Sequence, residues 1–400
     1  MTMRWSVLVM LVMLVGACGS VQSNQTPMVD GGRATDGPAT DGRATDGPAT
    51  DGPAPARDSC TTFATQLDTC RFVLNGSITL SGSNVTYNTD NHELIANGAV
   101  IPVAHVVVAG LSGDVDAILA HDIRLTTNSV FRATGRLPVA MVASDIITLE
   151  SGAKIDVSNG GAGALTTCSS VPGAGGSNPG GGAGGGGAGN GSVGGKGGNG
   201  DGKGTQSVGG AGGAADTLPL GPRGGCSGAP GGVISLANIG AAGGLGGGAI
   251  YIVAARSVVL SNFATINAGG GGGQGGGSAS GGGGGGAGGM IVVEAPTISS
   301  PANTVLAANG GGGGGGAADG AAGGNGQSGL PATTRAAGGP EGGGNATDGG
   351  RGGSLEGPAG ESIVTVISNS GGGGGGGGGV GFVHIVSAAA SLGAVSPAPN

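Results

Sequence analysis

Aromatic side chains are almost missing from this 400-residue sequence, which has one Trp, two Tyr and five Phe. Aromatic residues usually dominate the energetics of cores and interfaces. Their scarcity excludes a conventional core of large side chains, and it weakens the case for a glycan-binding module. Trp5 lies just before the apolar N-terminal run of residues 7–15, so the rest of the chain has no tryptophan.

Charged residues are also scarce, and basic ones most of all. Charged side chains make up 10% of the sequence, with 15 Lys and Arg against 23 Asp and Glu, for a formal net charge of −8. A nucleic-acid-binding face needs clustered basic side chains that neutralise phosphates. We therefore expect no nucleic-acid partner.

Glycine is abundant, with 103 residues against a usual share of about 7%. The excess lies mainly in three excursions, at residues 160–248, 269–289 and 310–379. Ordering each glycine costs on the order of 1–2 kcal/mol. The runs are therefore either flexible coils or polyglycine-II-like segments packed side by side. Expected strands at residues 233–237 and 363–367 favour the packed alternative.

A repeated apolar pattern organises the rest of the chain. In residues 139–160, apolar side chains alternate with others in short runs that turn residues separate, which is typical of strands with one buried face. The apolar positions recur 24 residues earlier, 111 residues later and 40 residues beyond that. The matching residues are Ile123, Leu125, Phe131 and Ala133; Ile147, Leu149, Ile155 and Val157; Val258, Leu260, Ile266 and Ala268; and Ile298, Leu306 and Ala308.

This recurrence predicts an all-β fold, namely a parallel β-solenoid that is right-handed and β-helix-like, with long glycine-rich, polyglycine-II-like excursions. We expect one more turn of the repeat before Ile123. Its apolar residues, which lie 24 positions before the first matching set, are Ala99, Ile101, Val107 and Ala109.

The sequence has five cysteines, of which Cys18 closes the N-terminal segment. The other four, Cys60, Cys70, Cys168 and Cys226, suggest two disulfides in an exported chain. Three pairings are possible. We favour Cys60–Cys70 and Cys168–Cys226, while other pairings and free thiols stay open.

The segment between Cys60 and Cys70 has an i, i+4 apolar pair, Phe63 and Leu67. This spacing predicts a short helical turn. Solenoid ends need capping, so we expect the turn to cover the open first turn of the repeat.

Residues 1–18 have a basic start, an apolar run that is too short to span a bilayer, and small residues before Cys18. The run V-G-A-C at residues 15–18 resembles the lipobox of bacterial lipoproteins. That resemblance implies cleavage before Cys18, acylation of Cys18 and, because no Asp follows at the second position, the outer membrane. The alternative is a cleaved secretory signal with a chance cysteine.

Residues 19–58 repeat T-D-G-P-A and T-D-G-R-A at a five-residue period, which predicts a disordered, solvated linker. Weak calcium binding by its aspartates is the alternative. We expect the cap and regular repeats in residues 59–160, a glycine-rich continuation in residues 161–393, and a tail in residues 394–400.

Most of the mature chain resembles the glycine-rich surface lipoproteins of myxobacteria and related Gram-negative bacteria. The segments that carry this resemblance are the lipobox at Cys18, C-T-T-F-A-T-Q-L-D-T-C at Cys60, P-R-G-G-C-S-G-A at Pro222, G-G-A-I-Y-I-V-A at Gly247, G-G-M-I-V-V-E-A-P-T at Gly288 and L-A-A-N-G-G-G-G at Leu306. The resemblance implies export and a solenoid, and it implies no activity.

Candidate catalytic and metal-binding residues are few. His105 and His121 could meet Asp114, Asp116 and Asp122 on adjacent turns of the repeat, but outward polar strand positions give the same pattern, and we favour that interpretation. We therefore predict no catalytic, metal or cofactor site.

Two short motifs are also similar to known functional sites, but each matches only in part. N-T-D at residues 88–90 is similar to a polygalacturonase motif whose companion motifs the sequence lacks. Residues 194–202 approach the calcium-binding nonapeptide, but they occur once and depart from it at Asn199 and Asp201.

The sequence therefore predicts a non-enzymatic lipoprotein at the outer membrane or cell surface, with a structural or adhesive role in the envelope or matrix. Its expected partners are the membrane, through the lipid anchor, and extracellular polysaccharide or other envelope components. The alternatives are a polysaccharide-acting β-helix enzyme, either a lyase or a hydrolase, and a glycan-binding module.

Overall fold

The computed structural model describes residues 62–164, 168, 170–202, 205–234, 240–318, 320–363 and 371–400. The expected signal, Cys18, Cys60, the linker and most of the two strands expected at residues 233–237 and 363–367 lie outside these ranges. The described part is all-β apart from one 3₁₀ turn, Thr69–Arg71.

The strands are short, and many of them alternate buried and more exposed side chains. In chain order they are β1 (Ser77–Leu80), β2 (Val85–Asn88), β3 (Glu93–Ala96), β4 (Ala99–Ile101), β5 (Ala104–Gly110), β6 (Gly113–Ala120), β7 (Asp122–Leu125), β8 (Val130–Thr134), β9 (Val139–Ala143), β10 (Ile146–Leu149), β11 (Lys154–Asp156), β12 (Gly200–Gly202), β13 (Thr205–Ser207), β14 (Ala249–Ala254), β15 (Ser257–Leu260), β16 (Thr265–Asn267), β17 (Met290–Glu294), β18 (Thr297–Ser299), β19 (Val305–Ala307), β20 (Phe382–Val386), β21 (Ala389–Ser391) and β22 (Ala394–Ser396).

These strands form three large sheets and one two-stranded ribbon, β12–β13. Sheet one has the order β1-β7-β10-β15-β18-β21, sheet two the order β22-β19-β16-β11-β8-β2-β3-β4, and sheet three the order β20-β17-β14-β9-β6-β5. From β6 to β11 and from β14 to β22, the chain passes through sheet three, sheet one and sheet two in turn.

The predicted register is confirmed at the central positions of the repeat. Ile147 lies opposite Ile123 on one side and opposite Val258 on the other, in parallel strands. Val258 in turn lies opposite Ile298. Each of these side chains is buried. The spacings of 24, 111 and 40 residues therefore correspond to neighbouring strands.

The prediction of a parallel β-solenoid is nevertheless wrong, because the sheets mix parallel and antiparallel strands. β2, β3 and β4 pair antiparallel within sheet two, and β5 pairs antiparallel with β6 at the edge of sheet three. The described strands form parallel and mixed sheets, without a closed solenoid. Alternation of apolar residues has the same period in both kinds of pairing, so it could not distinguish them.

The additional repeat expected at residues 99–109 is absent. Ile101 pairs antiparallel with Leu94, and the strand that precedes Ile123 in sheet one is β1, through Ile78. Asn97 and Gly98 form the two-residue turn between β3 and β4, with φ values of 51° and 80°. Positive φ at both central residues is the condition for a type I′ hairpin turn, so these two residues divert the chain into a hairpin.

Two apolar layers flank sheet three. One face contributes Ile118, Met141, Ile252 and Ile291 to the main core, which also contains the inward residues of sheets one and two. The opposite face packs against residues 63–74, including the buried Leu67. The segment that was expected to cap the first repeat therefore lies against the outer face of sheet three. Strands β9, β14 and β17 are buried on both faces and show no alternation.

Three glycine-rich excursions each connect a strand of sheet two to a strand of sheet three: β11 to β14, β16 to β17 and β19 to β20. In the described residues they are hydrogen-bonded to one another, so the packed alternative holds there and the coil alternative does not. Gly185 N–H donates to Gly282 O, Gly282 N–H donates to Gly373 O, and Gly376 N–H donates to Gly185 O, each at 2.9 Å.

Cys168 and Cys226 form a disulfide, with a Cα–Cα distance of 5.9 Å. Both cysteines lie in the first excursion and pack against Ala188 and Ala287. Cys70 is also disulfide-bonded, and its expected partner, Cys60, lies outside the described residues.

Candidate functional site

A buried carboxylate lies where the antiparallel strands begin. Asp116 is on β6, and it points to the same side as Ile118 and Ala120, which belong to the main core. The exposed fraction of its side chain is 0%. Asp116 is therefore an inward residue, and its interpretation as an outward polar strand position is wrong.

The two oxygens of Asp116 have different surroundings. Oδ2 accepts a hydrogen bond from the Tyr87 hydroxyl at 2.8 Å and lies 2.9 Å from His92 Nδ1. Oδ1 is buried and has no hydrogen-bond partner among the residues that the structure describes. Leaving a buried acceptor without a partner costs about 1–3 kcal/mol, so Oδ1 is the unsatisfied point of this site.

Two histidines cover Asp116 from the solvent side. His92 lies in the turn before β3 and has a φ of 59°, and His105 lies on β5 opposite Ile118. Their rings stack with centroids 4.6 Å apart and an interplanar angle of 11°. His105 Nδ1 lies 3.9 Å from Asp116 Oδ1. The two imidazoles are 31% and 36% exposed, so solvent reaches the group from that side.

Among the ion pairs of the described residues, Asp116 contacts only these two histidines, which carry charge only when protonated. Burying a carboxylate is costly unless it is paired and hydrogen-bonded. Burial raises the pKa of the Tyr87 hydroxyl, and its hydrogen bond to Asp116 and the charge of Asp116 raise that pKa further. Tyr87 therefore stays protonated and acts as a donor to the carboxylate.

In a second buried carboxylate, Glu294 on β17, both oxygens accept hydrogen bonds. Its Oε1 accepts from Thr65 N–H at 2.9 Å, and its Oε2 accepts from the Thr65 hydroxyl at 3.0 Å and from the Tyr251 hydroxyl. Burial, followed by the hydrogen bond to Glu294, raises the pKa of Tyr251. Both sites pair a tyrosine with a carboxylate, but only Asp116 keeps an oxygen without a partner.

A third group, which we call the group on sheet one, lies where strands β7 and β10 of that sheet begin. His121, Asp122 and Asp145 have potential ligand atoms within 4.8 Å of one another. His121 Nδ1 lies 2.9 Å from Asp122 Oδ2, and this contact is the main cause that lowers the pKa of Asp122. Asp145 forms an ion pair with Arg256. The acids of this group already have polar or charged partners.

The histidines and aspartates that the sequence analysis considered as one possible site therefore lie in two separate groups. Asp116 and His105 lie together, while His121 and Asp122 lie in the group on sheet one. Asp114 is exposed and pairs with Ala109 in the β5–β6 hairpin. His92 was missed because it lies in a turn outside the strand pattern. The signal in the sequence that could have identified it is its position two residues after the N-T-D run of residues 88–90.

The two short motifs have structural roles. Asp90 of the N-T-D run lies 3.0 Å from Arg136 Nε, and its hydrogen bonds with Arg136 lower its pKa. Asn199 Oδ1 accepts a hydrogen bond from Gly209 N–H at 2.9 Å. Neither arrangement places these oxygens in a set of convergent carboxylates.

Within the described residues, no helix has the length and apolar composition that a membrane span requires. Comparison with protein-family models, with curated proteins and with solved structures found no match for this chain.

Proposed function

We propose that this chain is a non-enzymatic structural protein of the bacterial envelope, exported and held at the cell surface by a lipid on Cys18. The observation that supports a structural role is the packing of the glycine-rich excursions. Backbone amides and carbonyls from three distant parts of the chain bond to one another, as at Gly185, Gly282 and Gly376.

Where these glycine backbones meet, many of the glycines leave no room for a side chain. A Cβ added to Gly284 would clash with the carbonyl of Gly186, and one added to Gly375 would clash with the carbonyl of Gly283. A catalytic groove needs several convergent polar side chains. Contacts between glycine backbones supply no such side chains, whereas they suit a role that depends on a rigid body.

The location follows from the N-terminal pattern. The lipobox-like run before Cys18 and the linker that the sequence predicts for residues 19–58 would tether the described part of the chain to the outer membrane. Envelope components and extracellular polysaccharide are the partners that such a placement offers. An adhesive role would use the same tether.

The anchoring part is tested by metabolic labelling with a clickable fatty acid in a Gram-negative host. The full chain should take up label and fractionate with the outer membrane. Cys18→Ser should lose the label and the membrane association, with Cys70→Ser as the control for a cysteine away from the lipobox. Unlabelled wild-type chain in the soluble periplasmic or secreted fraction would reject the anchor.

The structural part is tested against its two rivals. The purified full chain should leave a panel of acidic polysaccharides uncleaved. Cleavage that is lost in Asp122→Ala or His121→Ala would show a polysaccharide-acting enzyme instead. Saturable binding on a glycan array would show a glycan-binding module.

A further inference from the structure

We propose that Asp116, His92 and His105 form a binding site for one divalent transition-metal ion of the zinc class. This site goes beyond the proposed structural role and does not depend on it. The three side chains come from three strands or turns, and the potential ligand atoms lie within 4.8 Å of one another.

The ligand set matches the chemistry of such an ion. Two imidazoles and one carboxylate, with a position open to water, are a common set for zinc and its neighbours. Ligand atoms that share a tetrahedral zinc ion at about 2.0–2.1 Å lie about 3.3 Å apart. The separations here are 2.9 Å for His92 Nδ1 to Asp116 Oδ2 and 3.9 Å for His105 Nδ1 to Asp116 Oδ1. For a zinc ion held by both carboxylate oxygens and the two imidazoles, these separations would have to change by about 0.4 Å and about 0.6 Å.

The orphaned oxygen is the observation that points to a ligand. Asp116 is fully buried, yet its Oδ1 has no donor and faces the exposed pair of histidines. The other buried carboxylate, Glu294, differs from Asp116, because each of its oxygens accepts at least one hydrogen bond from Thr65 or Tyr251. A cation on Oδ1 would satisfy the remaining lone pairs and compensate the buried charge.

The surroundings supply the second layer that metal sites usually have. Tyr87 donates to Asp116 Oδ2 at 2.8 Å and so fixes the orientation of the carboxylate. Such outer partners typically contribute about 10–100-fold to metal affinity. The partial exposure of His92 and His105 gives the ion a path from solvent.

The test is a titration of the chelator-treated full chain with ZnCl₂ by calorimetry, at about pH 7.5, where ordinary imidazoles are neutral. We expect one equivalent to bind, with a matching rise in the melting temperature. His105→Gln should weaken binding at least 10-fold, because losing a ligand should cost no less than losing an outer partner. Tyr87→Phe should keep the stoichiometry and weaken binding by about 10–100-fold.

The matched control is His121→Gln, which removes a histidine from the group on sheet one. It should bind as the wild type does. His92→Asn serves as a second ligand variant, because asparagine tolerates the positive φ at this turn. Cobalt(II) adds a spectroscopic readout: its visible bands should appear with the wild type and with His121→Gln, and should fade with His105→Gln.

Several results would overturn the proposal. They are no stoichiometric zinc binding by the wild type, unchanged binding in both His105→Gln and His92→Asn, or loss of binding in His121→Gln. Because His105 is partly exposed, its variant should fold, and an unchanged circular dichroism spectrum confirms that weaker binding reflects the lost ligand.

Discussion

Thr65 donates both its backbone N–H and its hydroxyl to Glu294, which lies 229 residues further along the chain. This contact fixes residues 63–74 to the outer face of sheet three at the end of β17. It also provides the donors that the buried Glu294 carboxylate needs beside Tyr251.

We expect Thr65→Ala to destabilise the protein by about 1.5–3 kcal/mol, because it removes a hydrogen bond to a buried charged group. Thr65→Ser keeps a hydroxyl and should retain most of the stability. The midpoint of urea unfolding measures both. Equal midpoints for Thr65→Ala and the wild type would mean that the contact contributes nothing.

The packing of the glycine-rich excursions predicts opposite effects for two glycine-to-alanine substitutions in the second excursion. Gly284→Ala places a Cβ against the carbonyl of Gly186 and should destabilise by about 1–3 kcal/mol or more. Gly277→Ala meets nothing within 4 Å and should be neutral, or stabilising by up to about 1 kcal/mol. Urea unfolding of the two variants tests this, and similar losses at both positions would contradict it.

Acid should weaken one surface contact. The hydrogen bond from Arg124, followed by those from Thr127, lowers the pKa of Glu150. Because the folded pKa lies below the unfolded value of about 4.3, the contribution to stability is present above that value and disappears as the pH falls through the folded pKa. Arg124→Gln should therefore flatten the loss of stability with falling pH below about pH 5.

The control for that experiment is Lys196→Gln, which removes a positive charge from the first excursion. Its stability should fall with acid as steeply as that of the wild type. Melting temperatures measured across the acidic range give the slopes, and parallel curves for Arg124→Gln and the wild type would refute the assignment.

The Cys168–Cys226 disulfide closes a loop with a sequence separation of 58. The loop-entropy model gives such a bridge about 4 kcal/mol of stability. The double variant Cys168→Ala, Cys226→Ala should lose that amount in urea unfolding. Adding reductant to the double variant reports the effect of the remaining disulfide at Cys70 separately. An unchanged midpoint would show that the packed glycine excursions hold this region without the bridge.

Much of the strand register could be predicted from the sequence, because one buried face imposes a strict period on residues such as Ile123, Ile147 and Val258. The pairing direction could not. Residues 99–109 match the same period, yet the Asn97–Gly98 turn directs them into antiparallel pairs. The register of β17 cannot be predicted from alternation for another reason: both of its faces are buried, so its side chains do not alternate.

The candidate site was only half predictable. Asp116 and His105 were candidates because of their side-chain chemistry, but a pattern of alternation cannot show that Asp116 points into the core. His92 reaches the site through a turn with positive φ, a conformation uncommon for residues other than glycine. The sequence could not identify Tyr87 as the hydrogen-bond donor to Asp116, because an aromatic residue on a strand usually indicates packing alone.

The way the three excursions bond to one another has an evolutionary consequence. Ordinary surface loops tolerate insertions and deletions independently. Here, removing a few glycines around Gly185 would leave backbone donors and acceptors near both Gly282 and Gly376 without hydrogen-bond partners. The lengths of the three segments should therefore change in concert among descendants of this gene, so that a shortening in one is matched by shortenings in the others.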